Sequence, residues 1–532
     1  MRRRLLFLLP LALCFAYGAR AALTNVNFGV GAASQVAFTP LHIYYMSPTG
    51  SDSNSGTSPS SPWATPNHPV DCGDVIIAAP GAYSPSGMGV TSQPSNCPSN
   101  SSGIDGSGGI YFAVVLCNGN VGACHVDGTG GSGGAIEVGA SNWAFEGWQV
   151  SSKSIGSSGM RGFEVNACAS GTTVIHHVAF VNDVATHLQE GFDTNECALN
   201  HNVPGNGVDY FAVVGSIAQN ANDDPICVAA IDDVAPANLN SDAGVHVFFG
   251  GNFAIANRNP ACPGSDGEGI MLDTWDAHGY VGTGVIENNI IYDSAWAGLQ
   301  IFEQNINTSN PQFQVFDNTL YANEACTEFS VGTSGELNIQ LDGGYPWTLN
   351  VYNNIALTNR KTVGCKGGGN VYAMHTGGVN GVGSTTMNIG GSGLQNIFKG
   401  EMTSCDSTCD SGNNVVAFNG FGVGTDTYEN PGFANTSDLL ANQVGAPDCS
   451  SSYTNTTACM GWNNSTQRAA ANSVIADLTP TASGTSGKGY QPPGACKPDQ
   501  YYPTWLKGIV YLQWDGTNLW EYNGLVQKPC GL

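Results

Sequence analysis

The chain has 532 residues, only 11% of them charged against the roughly 25% usual in globular proteins, and its formal net charge is −25. A surface this acidic repels nucleic acid and anionic membranes, which excludes both as partners, and it repels polyuronates unless a cation or a basic cluster intervenes. Its polar surface must come from Asn, Ser, Thr and Gly, which suits a protein that works on or near neutral glycan, or one that uses calcium.

The first 21 residues, MRRRLLFLLPLALCFAYGARA, have a basic start, a short apolar run and a small-residue ending, the pattern of a secretory signal rather than a membrane span. An exported protein, extracellular or periplasmic, is expected. Removing the four arginines of that segment leaves 12 basic against 41 acidic residues, a mature formal charge of about −29. Removing Cys14 leaves 16 of 17 cysteines, an even number whose expected use in an oxidising compartment is disulfides. Cys405 and Cys409 read as a local bridge, and Cys449, Cys459, Cys496 and Cys530 as staples of the C-terminal region.

Residues 22–42 form an N-terminal lead that caps the first coil, since a stack of repeats needs an end cover. Residues 43–433 carry the repeats, interrupted early by Gly/Ser/Pro-rich loops from Ser84 to Gly109 and from Gly128 to Gly134. Seven segments there are variants of one phrase, among them VIHHVAFVND from Val174, VIENNIIYDS from Val285 and VYNNIALTNR from Val351. Each joins an apolar pair to a polar position, usually Asn, and then to an alternating apolar run. The polar anchors His177, Ser216, Asn252, Asn289, Asn318, Asn354 and Asn396 lie 39, 36, 37, 29, 36 and 42 residues apart. A period in this range means stacked supersecondary units. Alternation of apolar and polar residues makes the units strands, with a second strand ahead of each phrase (GIMLDTW from Gly269, GLQIFEQ from Gly298). Each coil buries its apolar face only by stacking on the next, and the repeated Asn is expected to form a ladder at the inner bends. Residues 434–532 lose the phrase and read as a cysteine-bearing C-terminal cap, with a hairpin from Ile509 to Tyr522 turning at Asp515 and Gly516.

The segments IYYMSPTGSDSNSGTSPSSPWAT from Ile43 and GDVIIAAPGAYS from Gly73, the GVIENNIIYDSAWAGLQIF type of repeat, and NPGFAN at Asn430 together resemble right-handed parallel β-helix proteins of the pectate lyase (pectin lyase-like) superfamily. The resemblance spans roughly residues 43–435 and implies an all-β, single-stranded right-handed parallel β-helix, to which the cysteine-bearing tail adds a disulfide-bearing C-terminal cap. That superfamily contains polysaccharide lyases, glycoside hydrolases, esterases and non-catalytic adhesins. Its lyases typically pair acidic calcium ligands with a Lys or Arg base.

Aligning the strands ahead of each phrase by inward pairs, Val228/Ile231, Ile270/Leu272, Leu299/Ile301 and Leu337/Ile339, stacks Asp232 with Asp233, Asp273, Glu303 and Asp342, with Asp193 one coil earlier. Carboxylates one coil, about 4.8 Å, apart destabilise each other unless they bind a cation or share a proton. The densest stretch, Asp266 to Gly279, adds Glu268, Asp276, His278 and Trp275. A sugar-cleaving site needs two carboxylates about the bond and an aromatic platform. Asp273, Asp232, Asp276 and Glu303 are therefore the expected catalytic residues, and Trp275, Trp296 and Phe302 the expected sugar platform. Asp193, Asp233, Asp266 and Glu268 are the expected ligands if calcium is used. Between Lys153 and Arg360 only Arg161 and Arg258 are basic apart from histidines, so the base half of the lyase pattern is thin; His246 and His278 are the substitutes. The resulting expectation is a secreted monomer that cleaves polysaccharide, by a carboxylate-pair glycoside hydrolysis ahead of calcium-dependent β-elimination, with a non-catalytic glycan-binding or adhesin-like solenoid as the third alternative.

Overall fold

The computed structural model describes residues 35–400 with gaps at loops, then residue 478 and segments 503–506 and 512–522. The signal segment, Cys405, Cys409, the four later cysteines and NPGFAN lie outside the described residues. Three parallel sheets of eight, eleven and ten strands form the solenoid. One coil runs through Ile270–Asp273, Thr283–Glu287 and Ile290–Tyr292, and the next through Leu299–Glu303, Gln312–Phe316 and Thr319–Tyr321. Every strand pairs in parallel with its counterpart one coil on, as Ile270 does with Leu299, Val285 with Gln314 and Ile290 with Thr319. Parallel crossovers are right-handed almost without exception, and the whole is a right-handed parallel β-helix.

The expected Asn ladder stands at the corner between the eleven- and ten-stranded sheets. The residue before six of the rungs is left-handed: Asn182 at φ 56°, Gly215 at 56°, Gly251 at 69°, Asn288 at 55°, Asp317 at 53° and Asn353 at 55°. Only Gly, Asn and Asp take that conformation cheaply, which is why these residue types recur there. The backbone N–H of Ser216 donates to Asn252 Oδ1 at 2.9 Å, that of Asn252 to Asn289 at 2.8 Å, that of Asn289 to Asn318 at 3.0 Å, that of Asn318 to Asn354 at 3.0 Å and that of Asn354 to Asn396 at 2.9 Å. One rung differs from expectation. The member before Ser216 is Asp183, whose N–H donates to Ser216 Oγ at 3.1 Å, and not His177. The adjacent histidines fill a polar slot of the phrase but sit in the strand Ile175–Val181, half a turn early. Asn318→Ala would leave the backbone N–H of buried Asn289 without its acceptor and remove one of the two acceptors of its Nδ2, Phe249 O remaining. A loss of about 3 kcal/mol, the upper end for an unsatisfied buried group, is expected in denaturant titration.

Two apolar layers result. Alternate residues such as Ile76, Val115, Phe145, Phe180, Phe211 and Phe249 fill the interior. The early strands of the eleven-stranded sheet, VIIA at Val75–Ala78 and AVVLC at Ala113–Cys117, are apolar on both faces, and their outer face needs its own cover. Leu478, Trp505, Leu506, Leu512 and Leu519 of the tail supply it. The hairpin expected near the C terminus is present as Leu512–Trp514 and Leu519–Tyr522, with Gly516 at φ 93° in its turn. Its second strand pairs antiparallel with Gln35–Phe38 of the lead, so both ends of the described chain meet on one side wall. All four cysteines among the described residues are paired, Cys72 with Cys97 and Cys117 with Cys124.

Candidate active site

The eight-stranded sheet presents one row of outward residues that changes character along its length. Pairing places Glu137 beside Glu164, Glu164 beside Asp193, then Met271 beside Gln300, Gln300 beside Asn338, and Asn338 beside His375. Asp232 bridges the two halves, because Phe192 pairs with Ile231 and Asp232 with Met271. Four carboxylates in successive coils therefore give way to a neutral half. There Asn338 Nδ2 donates to Gln300 Oε1 at 2.7 Å, and His375 Nδ1 meets Asn338 Oδ1 at 2.9 Å.

Arg161 stands in the acidic half. Its Nη1 donates to Glu164 Oε1 at 3.0 Å, and its Nε lies 2.5 Å from Glu190 Oε2 and 3.3 Å from Asp193 Oδ2, ion pairs rather than aligned hydrogen bonds. Asn195 Nδ2 donates to Glu164 Oε1 at 2.5 Å, and Asn166 Nδ2 to Glu137 Oε1 at 3.0 Å. Glu164, Glu190 and Asp193 are buried, whereas Glu137 and Arg161 are half-buried and form the edge at which the cluster meets solvent. Burial, then the neighbouring Glu190 charge, drives the Asp193 carboxyl well above the ordinary range, against the pull of Arg161. Burial likewise raises Glu190, and burial with the Glu164 charge raises Glu137. Burial opposes the charge on Arg161, but Asp193, Glu190 and Glu164 outweigh it and hold the guanidinium more firmly protonated.

The register corrects several expectations from sequence. Ile231 pairs with Ile270 rather than Leu272, a slip of two residues that leaves Asp232 facing outward but opposite Met271, so it does not stack on Asp273. Asp233 pairs with Leu272, a core position, and its Oδ1 accepts from Thr194 Oγ1 at 2.8 Å; it is an inward group and no member of an outer ligand set. The strand Ile231–Asp233 is only three residues long, too short for its apolar residues to define a register by themselves. Asp273 is half-buried and pairs with Phe302, so Glu303, which pairs with Leu341, falls out of line with it. Glu268 is buried before the strand Ile270–Asp273, where its backbone carbonyl accepts from Ala230 N–H. Trp296 is half-buried at a bend, and its backbone N–H donates to Gly267 O at 3.0 Å. Trp275, Asp276, Asp266 and His278 lie outside the described residues. His246 belongs to the eleven-stranded sheet, fully buried, with Nδ1 2.7 Å from Asp209 Oδ1, and does not join the acidic row.

Arg161, Glu137, Glu164 and Glu190 were not among the expected site residues. The signal that finds them is the matched pair GFEVN at Gly162–Asn166 and GFDTN at Gly191–Asn195, which sets Glu164 on Asp193 and places Arg161 at the start of the first copy.

No family model and no curated protein matches the chain. Among solved structures, one titled pectate lyase Pel9A shares 16% identity over 76% of this chain and 86% of its own, with a TM-score of 0.34. A rhamnogalacturonan lyase shares 16% identity over 65% of this chain and 87% of its own, with a TM-score of 0.32. The strand order and the coil-to-coil register are those of a right-handed parallel β-helix.

Proposed function

We propose that this protein is an exported polysaccharide-cleaving enzyme that works by glycoside hydrolysis at the acidic half of the eight-stranded sheet. The observation that carries the reading is one guanidinium among three buried carboxylates. With every group ionised the cluster would hold two unbalanced negative charges away from water. The least costly state keeps a proton on the Glu190–Asp193 pair. A carboxyl that retains its proton beside an ionised carboxylate is what glycoside hydrolysis needs: one group protonates the leaving oxygen while another attacks the sugar or activates water.

Asp193 is assigned as the proton donor and Glu164 as the ionised partner, held by Arg161 and Asn195. Neighbouring coils are about 4.8 Å apart, near the roughly 5–5.5 Å separation of a retaining pair. Glu137 and Arg161 supply the edge through which the sugar reaches them. The neutral half of the row, Gln300, Asn338 and His375, continues the acidic half with uncharged hydrogen-bonding groups, which favours a neutral over a uronic chain.

Elimination is less well served. Arg161 is held protonated by its three acids and is a poor proton acceptor, and no lysine lies on the described strands of the eight-stranded sheet. Calcium does not fit the cluster either, because the guanidinium takes the place a cation would occupy among Glu164, Glu190 and Asp193, and Asp233 faces inward. The test is a screen of the purified protein on neutral and uronic polysaccharides, with and without chelator. New reducing ends without unsaturated ends, insensitive to chelator, are expected. Unsaturated ends would establish elimination, and no cleavage on any polymer that the protein binds would establish a non-catalytic solenoid.

A further inference from the structure

The outer face of the eleven-stranded sheet carries a half-open recess of about 350 Å³. That lies at the small end of the roughly 300–1,000 Å³ range of ligand sites. Its walls come from distant parts of the chain: Gln93, Asn96 and Pro98 from the loop pinned by the Cys72–Cys97 disulfide, with Asn142, His176 and His177 from the sheet. None of these belongs to the acidic row, which is on another sheet.

His177 is the unusual member. It is 1% exposed and held at φ 53°, a left-handed conformation that a histidine keeps only when its surroundings impose it. Its ring is clamped between Tyr111 and Tyr210, with centroids 4.5 Å from each. Nδ1 lies 2.9 Å from His176 Nδ1, a contact with room for one proton. Burial, then the neighbouring histidines, pushes His177 down, and burial pushes His176 down to about 4, so both rings are neutral near neutral pH. The other ring nitrogen of His177, Nε2, is buried and has no hydrogen-bond partner among the described residues. Asn96 at φ 52° and Asn142 at φ 69° are also left-handed, which concentrates constrained backbone around the same recess.

The lining selects the ligand class. Among the described residues that line the recess none has a side chain charged near neutral pH, so they offer neither an anion nor a cation a counter-charge. The amides are already oriented: Gln93 Nε2 donates to Asn142 Oδ1 at 2.8 Å, and Asn142 Nδ2 to Tyr111 O at 2.7 Å. Fixed amides, neutral imidazoles and the proline rings of Pro94 and Pro98 match a compact ligand that carries both hydroxyls and C–H faces. We propose that this recess is a second saccharide site, which takes one uncharged sugar residue and tethers glycan on a different wall from the carboxylate row. The choice of sugar among neutral polyols rests on the glycan-cleaving reading above.

Saturation-transfer NMR on the full chain tests it, with the methyl glycosides of glucose, galactose, mannose and xylose as probes and galacturonate as the charged comparator. Gln93 is exposed, so Gln93→Trp fills the recess without disturbing the core, and its melting curve checks that it folds. At least one neutral glycoside should show transfer in the wild type and equally in Glu164→Gln. It should fall at least fivefold in Gln93→Trp, while galacturonate shows none. No transfer from any neutral glycoside, undiminished transfer in folded Gln93→Trp, or equal transfer from galacturonate would overturn the proposal. Transfer lost only in Glu164→Gln would place the sugar at the carboxylate row and overturn it as well. The hydrolysis reading fails separately, by absence of cleaved polymer.

Discussion

Arg161→Met should destabilise the protein by about 3 kcal/mol, the low end for breaking a buried ion pair, because 24% of the arginine side chain reaches solvent. The methionine fills much of the same volume, so the loss comes from charge. Glu164, Glu190 and Asp193 would be left together with no cation. The sign with pH follows from the raised carboxyl pKa values of Glu190 and Asp193, whose ordinary values are 4.5 and 3.8. A folded state that holds protons more tightly than the unfolded chain gains stability as pH falls and loses it as pH rises through the folded pKa. Removing Arg161 raises those pKa values further. The deficit should therefore be largest at neutral and alkaline pH and shrink as acid protonates the pair. Urea titrations of wild type and variant across pH check this, and a deficit that is the same at every pH would mean that Arg161 acts by packing alone.

Asp193→Asn should lower kcat about 100- to 10,000-fold on whichever polysaccharide the protein cleaves, the usual worth of a positioned general acid. The amide preserves shape and hydrogen bonding but has no proton to give at this acidity. In the wild type the active form carries that proton, so activity should fall as pH rises through the elevated pKa of the Glu190–Asp193 pair. The residual activity of the variant should lose this alkaline limb. The pair titrates as a unit, so the limb belongs to both residues. A variant with normal kcat, or one whose alkaline limb is unchanged, would remove Asp193 from the chemistry.

Much of the solenoid could be read from residues alone because its constraint is periodic. Each coil needs an inward apolar pair and a buried polar rung, and Ser216, Asn252, Asn289, Asn318, Asn354 and Asn396 satisfy the second requirement in plain view. The rung at Asp183 was hidden because two histidines six and seven residues earlier imitate the same polar slot. Strand parity near the site was also legible, so Asp232 faces outward as its alternation implies. Register was not, because Ile231–Asp233 has one apolar residue to align, and a slip of two moves every carboxylate along the strand without changing its face. Arg161 stands out in the sequence only as one of two basic residues in a long stretch, and a lone basic residue carries no pattern that names its partners. Its meaning depends on Glu190, which follows a turn, and on the coil-to-coil match of GFEVN with GFDTN. The recess at His177 depends on Gln93 and Pro98 of the pinned loop meeting Asn142 and His176 of the sheet, a convergence that no local pattern encodes.

Glu164→Gln tests the central claim most directly, that the carboxylates around Arg161 are a catalytic centre rather than a structural charge cluster. Its kcat on the best-cleaved polysaccharide should be measured beside its melting temperature. A cluster with more acid than base loses repulsion when Glu164 is neutralised, so the melting temperature should stay level or rise. If Glu164 is the ionised partner in hydrolysis, kcat should nonetheless fall at least about 100-fold. Wild-type turnover in the folded variant would contradict the account.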